Sequence, residues 1–99
     1  MRRGTTPTHT FTLPFDTDTL SKVRVIYAQD DIPVLVRDDA ELDGNNVVVK
    51  LTQEETLKFN EQKNVEIQLR ALTADGEDAI ASDIMRASVK RLLENEVFE

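Results

Sequence analysis

Cysteine is absent from the chain, and with it go disulfide staples, thiolate metal sites and cysteine nucleophiles. That absence suits a protein assembled in the cytoplasm. Tryptophan is absent too, tyrosine occurs once and phenylalanine four times, a thin supply for a groove that stacks sugars or peptides on exposed rings. With 3 Gly and 3 Pro in 99 residues, the chain is neither collagen-like nor low-complexity. No run approaches the roughly 20 consecutive apolar residues of a membrane-spanning helix. Arg2-Arg3 has the form of a twin-arginine signal, but Gly4 to Thr10 is polar and no apolar stretch follows. Residues 1–7 therefore read as a flexible tip.

Basic residues are in the minority: 12 Lys and Arg stand against 19 Asp and Glu, for a net charge of -7. Nucleic acid is a poor partner for such a chain, because phosphate binding draws its free energy from Lys and Arg that neutralise the backbone and release counterions. Arg86, Lys90 and Arg91 cluster near the C-terminus, but Glu94, Glu96 and Glu99 follow at once, which gives a solvated mixed surface.

What the sequence does have is alternation. Val47/Val49/Leu51 and Val65/Ile67/Leu69 each place three large apolar side chains on one face of a strand. Between these strands, Thr52-Gln-Glu-Glu55 has the form of a capping box, with the Thr52 hydroxyl accepting from the Glu55 amide and the Glu55 carboxylate reaching back to the Thr52 amide. One helical turn near Thr52–Leu57 should thus join two strands that cross from one sheet to another. Leu57 and Phe59 leave it where they can plug the end of the core.

Earlier in the chain, His9, Phe11, Leu13 and Phe15 share one face of a strand over Thr8 to Phe15, and Thr8, Thr10 and Thr12 share the other. Pro14 lacks an amide donor, which confines it to the edge or the end of that strand and suggests an outer position in the sheet. Val23/Val25/Tyr27 form the inward set of a second strand, Gln29-Asp-Asp31 is a turn, and Val34 to Arg37 is a third strand led by Pro33. Ala40 to Asn46 holds a brief strand or irregular edge around the turn signal Asp43-Gly44-Asn45. Thr73 to Asp78, with Gly76, is a second turn signal. The last stretch is ambiguous: Met85/Ala87/Val89 alternate, while Ile84, Ser88, Arg91 and Leu92 sit at helical spacing. A strand over Ile80 to Arg91 is expected, because the preceding turn needs a partner. The sum is an all-β protein, an immunoglobulin-like antiparallel β-sandwich of about seven strands, as one domain over residues 8–93 with a frayed tail at 94–99.

Three groups of residues invite a chemical reading. Asp39-Ala-Glu41-Leu-Asp43-Gly44 imitates the opening of a calcium loop, but the twelfth position, which should be a bidentate Glu, is Lys50. Solvated turn acids are the better account, with weak surface binding of a divalent ion left open. His9, the only histidine, has no Cys and no second His to build a zinc site with, and no nucleophile is marked out for it to activate. It reads as a partly exposed structural residue. Asp30/Asp31 and Asp38/Asp39 are sequence neighbours, and neighbours on a strand point to opposite faces, so neither pair is placed to share a proton. No phosphate loop, dinucleotide-binding glycine pattern or nucleophile elbow is present. Catalytic, cofactor-binding and metal-ligating residues are therefore assigned to none of these positions.

The opening MRRGTTPTHTFTLPFD, and the run VVVKLTQEETLKF leading to VEIQLRALTADGEDAIASDIM, resemble a group of short proteins found among structural genes of prophages in Gram-positive bacteria. The strand, L-T-x-E-E-T corner, strand and D-G turn are also similar in layout to the small β-sandwich at the N-terminus of phage baseplate upper proteins. The resemblance implies a non-enzymatic virion or tail-associated structural module, whose partners are phage structural proteins or further copies of itself, with no small-molecule substrate, membrane or nucleic acid. It implies residence in the bacterial cytoplasm during assembly, and the virion afterwards. The alternative kept beside it is a small carbohydrate- or peptide-binding sandwich.

Overall fold

The computed structural model describes residues 1–99, and its alternating runs become eight strands: β1 (Thr8–Thr12), β2 (Leu20–Gln29), β3 (Ile32–Arg37), β4 (Glu41–Asp43), β5 (Asn46–Lys50), β6 (Val65–Thr73), β7 (Ala79–Ala81) and β8 (Met85–Ala87). A short helix, α1 (Gln53–Leu57), sits between β5 and β6. Every pairing between strands is antiparallel. One sheet runs β1-β5-β4; the other runs β3-β2-β6-β7, with β8 also paired to β6. This is the immunoglobulin arrangement, with β1, β5 and β4 as strands B, E and D, β3, β2 and β6 as C′, C and F, and β7 and β8 together as G.

Inward alternation supplies the core. Val23, Val25 and Tyr27 from β2, Val47 and Val49 from β5, and Val65, Ile67 and Leu69 from β6 are all buried, with Leu51 joining from just past β5. Antibody domains pack a strand-C Trp against a disulfide. Here Tyr27, on the strand-C equivalent and fully buried, packs between His9 of β1 at 5.7 Å and Phe59 of the corner at 6.0 Å between ring centroids. Burial of these rings against one another takes the place of the covalent staple.

The corner is capped as its sequence requires. Thr52 Oγ1 accepts from the Glu55 amide at 3.1 Å, and Glu55 Oε1 accepts from the Thr52 amide at 2.9 Å. Phe59 is buried, while Leu57 is only half-buried; the side chain that α1 buries fully is Thr56. Its hydroxyl donates to the Thr5 carbonyl at 2.9 Å and so satisfies itself where no water reaches.

Three hairpins show how turn chemistry sets register. Gly44, at φ +60°, takes the first central position of the two-residue turn joining β4 to β5. Gly76, at φ +75°, lies in the Thr73–Asp78 turn. The turn joining β2 to β3 has no glycine: Asp30 and Asp31 both adopt positive φ, 52° and 63°, the combination that a type I′ turn demands.

Several boundaries differ from those the pattern implies. β1 stops at Thr12 rather than Phe15, because Pro14 has no amide for the ladder and only Leu13 N continues it, to Asn45 O at 2.7 Å. β3 begins earlier, at Ile32, and carries Pro33 within it as an edge strand can. The closing strand over Ile80 to Arg91 is broken into β7 and β8. Ser82 causes the break: its hydroxyl accepts from the Leu69 amide at 3.0 Å and donates to Asp83 O at 2.9 Å, replacing a backbone partner with a side chain.

The ends of the chain are also tied. The Met1 amino group donates to Ser88 O, Arg2 pairs parallel with Lys90, and the Arg3 guanidinium donates to Leu57 O at 2.8 Å and Asn95 Oδ1 at 2.6 Å. Residues 1–3, part of the expected flexible tip over residues 1–7, thus dock on residues 88–95. A Cβ on Gly4 would meet the Leu92 side chain. In the expected frayed tail, Phe98 and Gln53 exchange two hydrogen bonds, at 2.6 and 3.0 Å.

Candidate functional site

The residues singled out from sequence do not come together. Asp39 lies two residues past β3, where its carboxylate takes two hydrogen bonds from the Arg37 guanidinium, at 2.6 and 3.0 Å, and is held below the usual carboxylate range by them. Glu41 and Asp43 belong to β4 and are exposed. Asp38 pairs instead with Arg24, at 2.6 and 3.1 Å, which lowers its pKa. Asp30 and Asp31 occupy the β2–β3 turn, with Asp30 bound to Lys63. No three His, Asp or Glu side chains converge on a point where they could hold an ion.

His9 is half-buried on the inward face of an edge strand, and its Nδ1 lies 2.8 Å from the Tyr27 hydroxyl. Burial first, and the chain's amino terminus second, push its pKa below the ordinary histidine value. Burial also pushes the Tyr27 phenol upward. A neutral imidazole accepting from a neutral phenol is the consistent assignment. The phenol is enclosed by core and the imidazole half-covers it from the sheet edge, so the pair makes a polar tie between sheets.

Two polar residues that alternation alone could not nominate also tie elements together. Gln29, buried at the end of β2, donates to Asn60 O and Lys63 O and accepts from the Asn60 amide. Arg37 bridges the sheets: besides Asp39 it donates to Lys50 O at 3.1 Å and to Glu55 Oε1 at 2.8 Å. Long-range partners of this kind leave no local pattern in sequence.

The outer face of the five-stranded sheet is the first surface left without a partner. Strand alternation puts Lys22, Arg24, Ile26 and Ala28 of β2 there, with Pro33 and Val36 of β3, Glu66, Gln68 and Arg70 of β6, and Arg86 of β8. Val36 and Ile84 are 44% and 47% exposed. A shallow depression of about 330 Å³ joins Ile26, Pro33, Gln68, Arg70 and Ile84. Beside it, where β3 has ended and β2 is paired with β6 alone, a larger groove of about 590 Å³ runs past Arg24, Asp38, Leu42, Arg70 and Leu72. Neither hollow is lined by an aromatic ring. Four bases on this face meet one acid on the strands, Glu66, and two at the rim, Asp31 and Asp38, in a chain whose net charge is -7.

The second such surface is the outer edge of β1. The bonds Leu51 N to Pro7 O and Leu13 N to Asn45 O, with His9 opposite Val49 and Phe11 opposite Val47, put the odd-numbered residues of β1 in the hydrogen-bonded pairs with β5. In an antiparallel ladder the intervening residues then turn their amides and carbonyls the other way. Thr8, Thr10 and Thr12 therefore present three N–H and three C=O groups along the free edge, beside exposed threonine side chains. In the full immunoglobulin sheet, strand A covers this edge of strand B. Here the N-terminal residues pair with Lys90 instead, and β1 is left uncovered. Compared with protein-family models, with curated proteins and with solved structures, the chain matches none.

Proposed function

We propose that this chain is a non-enzymatic structural module that works by binding other proteins, of the virion- or tail-associated kind that its resemblance to prophage structural proteins implies. The observation that carries the protein-contact reading is the outer face of the five-stranded sheet. Ile26, Val36 and Ile84 supply an apolar centre, and Arg24, Arg70, Arg86, Asp38 and Glu66 surround it, the anatomy of a contact surface with a polar rim. The Arg24–Asp38 pair is half-exposed on both sides, so it contributes orientation more than stability. Arg24 is paired with Asp38 and Arg86 with Glu66, which leaves Lys22 and Arg70 as the unpaired bases of this face and favours a partner that brings acids to them around an apolar patch. The phage context rests on the resemblance alone. The carbohydrate-binding alternative finds less support, since both hollows lack aromatic rings, Tyr27 and Phe59 are enclosed in the core, and the exposed rings of Phe15 and Phe98 line neither hollow.

Co-purification of the tagged chain with the products of its neighbouring genes tests this reading. The expected result is capture of one such protein by the native chain and its loss in Val36→Glu, with folding of the variant confirmed by its melting transition. Failure to capture any of them, together with binding to a glycan array or turnover of a small molecule, would remove the proposal.

A further inference from the structure

We infer that the outer edge of β1 pairs antiparallel with β1 of a second copy of this chain, about a two-fold axis through Thr10, to make a continuous six-stranded sheet. The inference rests on the protein-contact reading and says which surface serves self-association.

The register follows from the hydrogen bonding already described. Only the even residues of β1 have outward amides and carbonyls, so the pairing must join even residue to even residue. Placing Thr10 opposite its own copy puts Thr8 opposite Thr12 in both directions and uses all three outward N–H and all three outward C=O groups of each chain, six hydrogen bonds in total. A shift of two residues either way leaves one threonine of each chain unpaired.

The side chains suit that register. Thr8, Thr10 and Thr12 meet one another on the solvent face, where threonine pairs are favourable cross-strand neighbours. On the inner face His9 of each copy lies opposite Phe11 of the other. Both rings are only half-buried in the single chain although they point inward, and within one copy they stand 6.4 Å apart, edge to face. Pairing completes their burial with the same geometry repeated across the axis.

Charge also allows it. A second copy brings another net charge of -7, yet no Asp or Glu occurs before Asp16. The contact strand is thus free of the acids that would repel a twin.

Each of the other edges is blunted by a recognised device. β4 is three residues long and exposes Glu41 and Asp43, which a second copy would meet with the same acids. β3 carries Pro33 and an irregular register beside it. The β7 and β8 edge is broken at Ser82. β1 has proline only outside it, at Pro7 and Pro14.

The contact is small, five residues from each chain, so association is weak and reversible. It also tightens as salt rises, because screening suppresses the repulsion of two acidic chains while leaving the uncharged strand contact intact.

Sedimentation of the full chain over a concentration series, at low and moderate sodium chloride, tests the inference. The expected result is a monomer–dimer equilibrium that shifts toward dimer with concentration and with salt. Thr10→Pro removes only an outward amide and no bond to β5, and Thr10→Glu places two carboxylates face to face on the axis. Both variants should keep the native melting temperature within a few degrees and sediment as monomers. A native chain that stays monomeric at millimolar concentration overturns the inference, and so does a dimer that survives both substitutions. If the native chain is monomeric yet still captures a product of a neighbouring gene, self-pairing falls while the protein-contact reading stands.

Discussion

The Nδ1 of His9 and the hydroxyl of Tyr27 lie 2.8 Å apart across the two sheets, and this contact joins β1 to β2 where an antibody domain would rely on its inter-sheet disulfide and tryptophan. It also makes the fold sensitive to pH at both ends of the scale.

His9 has a depressed pKa in the folded chain, so below about pH 6.5 the unfolded chain takes up a proton that the folded chain resists. Stability is full above that value and falls as the pH drops through the folded pKa. Tyr27 has a raised pKa; above about pH 10 the unfolded phenol ionises while the folded one does not, and stability falls as the pH rises. Chemical denaturation across pH should give a plateau between these limits. His9→Phe should flatten the acid limb that belongs to this residue, and Tyr27→Phe should remove its alkaline share. Tyr27→Phe should also cost about 1–2 kcal/mol at neutral pH, since it leaves a half-buried ring nitrogen without a donor.

At the corner, Thr52→Ala removes the acceptor of the Glu55 amide and should cost about 1 kcal/mol. Glu55→Ala should cost more, because the same Oε1 serves the Thr52 amide and the Arg37 guanidinium. Both groups of that ion pair are mostly shielded from solvent, and breaking it leaves Asp39 as the one carboxylate on Arg37, beside the Lys50 carbonyl. Equal losses in urea unfolding would show that the Arg37 bridge adds nothing.

The β2–β3 turn offers a stabilising change. Asp30 and Asp31 both sit at positive φ, where a side chain is strained and glycine is not. Asp31→Gly converts the pair to Asp-Gly, the preferred type I′ sequence. The Asp30–Lys63 ion pair and the bond from the residue 31 amide to Glu66 remain available. A gain of about 0.5–1 kcal/mol is expected, read as a higher midpoint of urea unfolding; a loss would mean that the Asp31 carboxylate contributes more than its backbone costs.

For the core, Leu51→Ala should cost about 2–5 kcal/mol. Leu93→Ala, at a residue 89% exposed, should stay within about 0.5 kcal/mol. Similar losses from both would place the core elsewhere.

These residues also mark how far sequence reasoning reaches. Alternation in Val47/Val49/Leu51 and Val65/Ile67/Leu69 identifies the facing sheets because burial on one side of a strand imposes a period of two, and the Thr52–Glu55 box is visible because both of its partners are three residues apart. Arg37 with Glu55, Gln29 with Asn60 and His9 with Tyr27 are separated by 18, 31 and 18 residues, and no local signal carries them. The closing strand shows a different limit. Met85/Ala87/Val89 alternate, but a single hydroxyl at Ser82 redirects the ladder, which alternation cannot register. The open edge of β1 is half legible: its alternation and Pro14 suggest an outer strand, whereas the docking of residues 1–3 on residues 88–91, which leaves that edge bare, is a tertiary choice.

That the uncovered edge of β1 serves self-association, within a chain proposed to work by protein contact, is tested most directly by residue-resolved amide hydrogen exchange over a range of protein concentrations. In dilute solution the amides of His9, Phe11 and Leu13 should exchange slowly and those of Thr8, Thr10 and Thr12 freely, with the three threonine amides gaining protection as concentration rises. Threonine amides already protected in the dilute monomer, or equally open at every concentration, would contradict it.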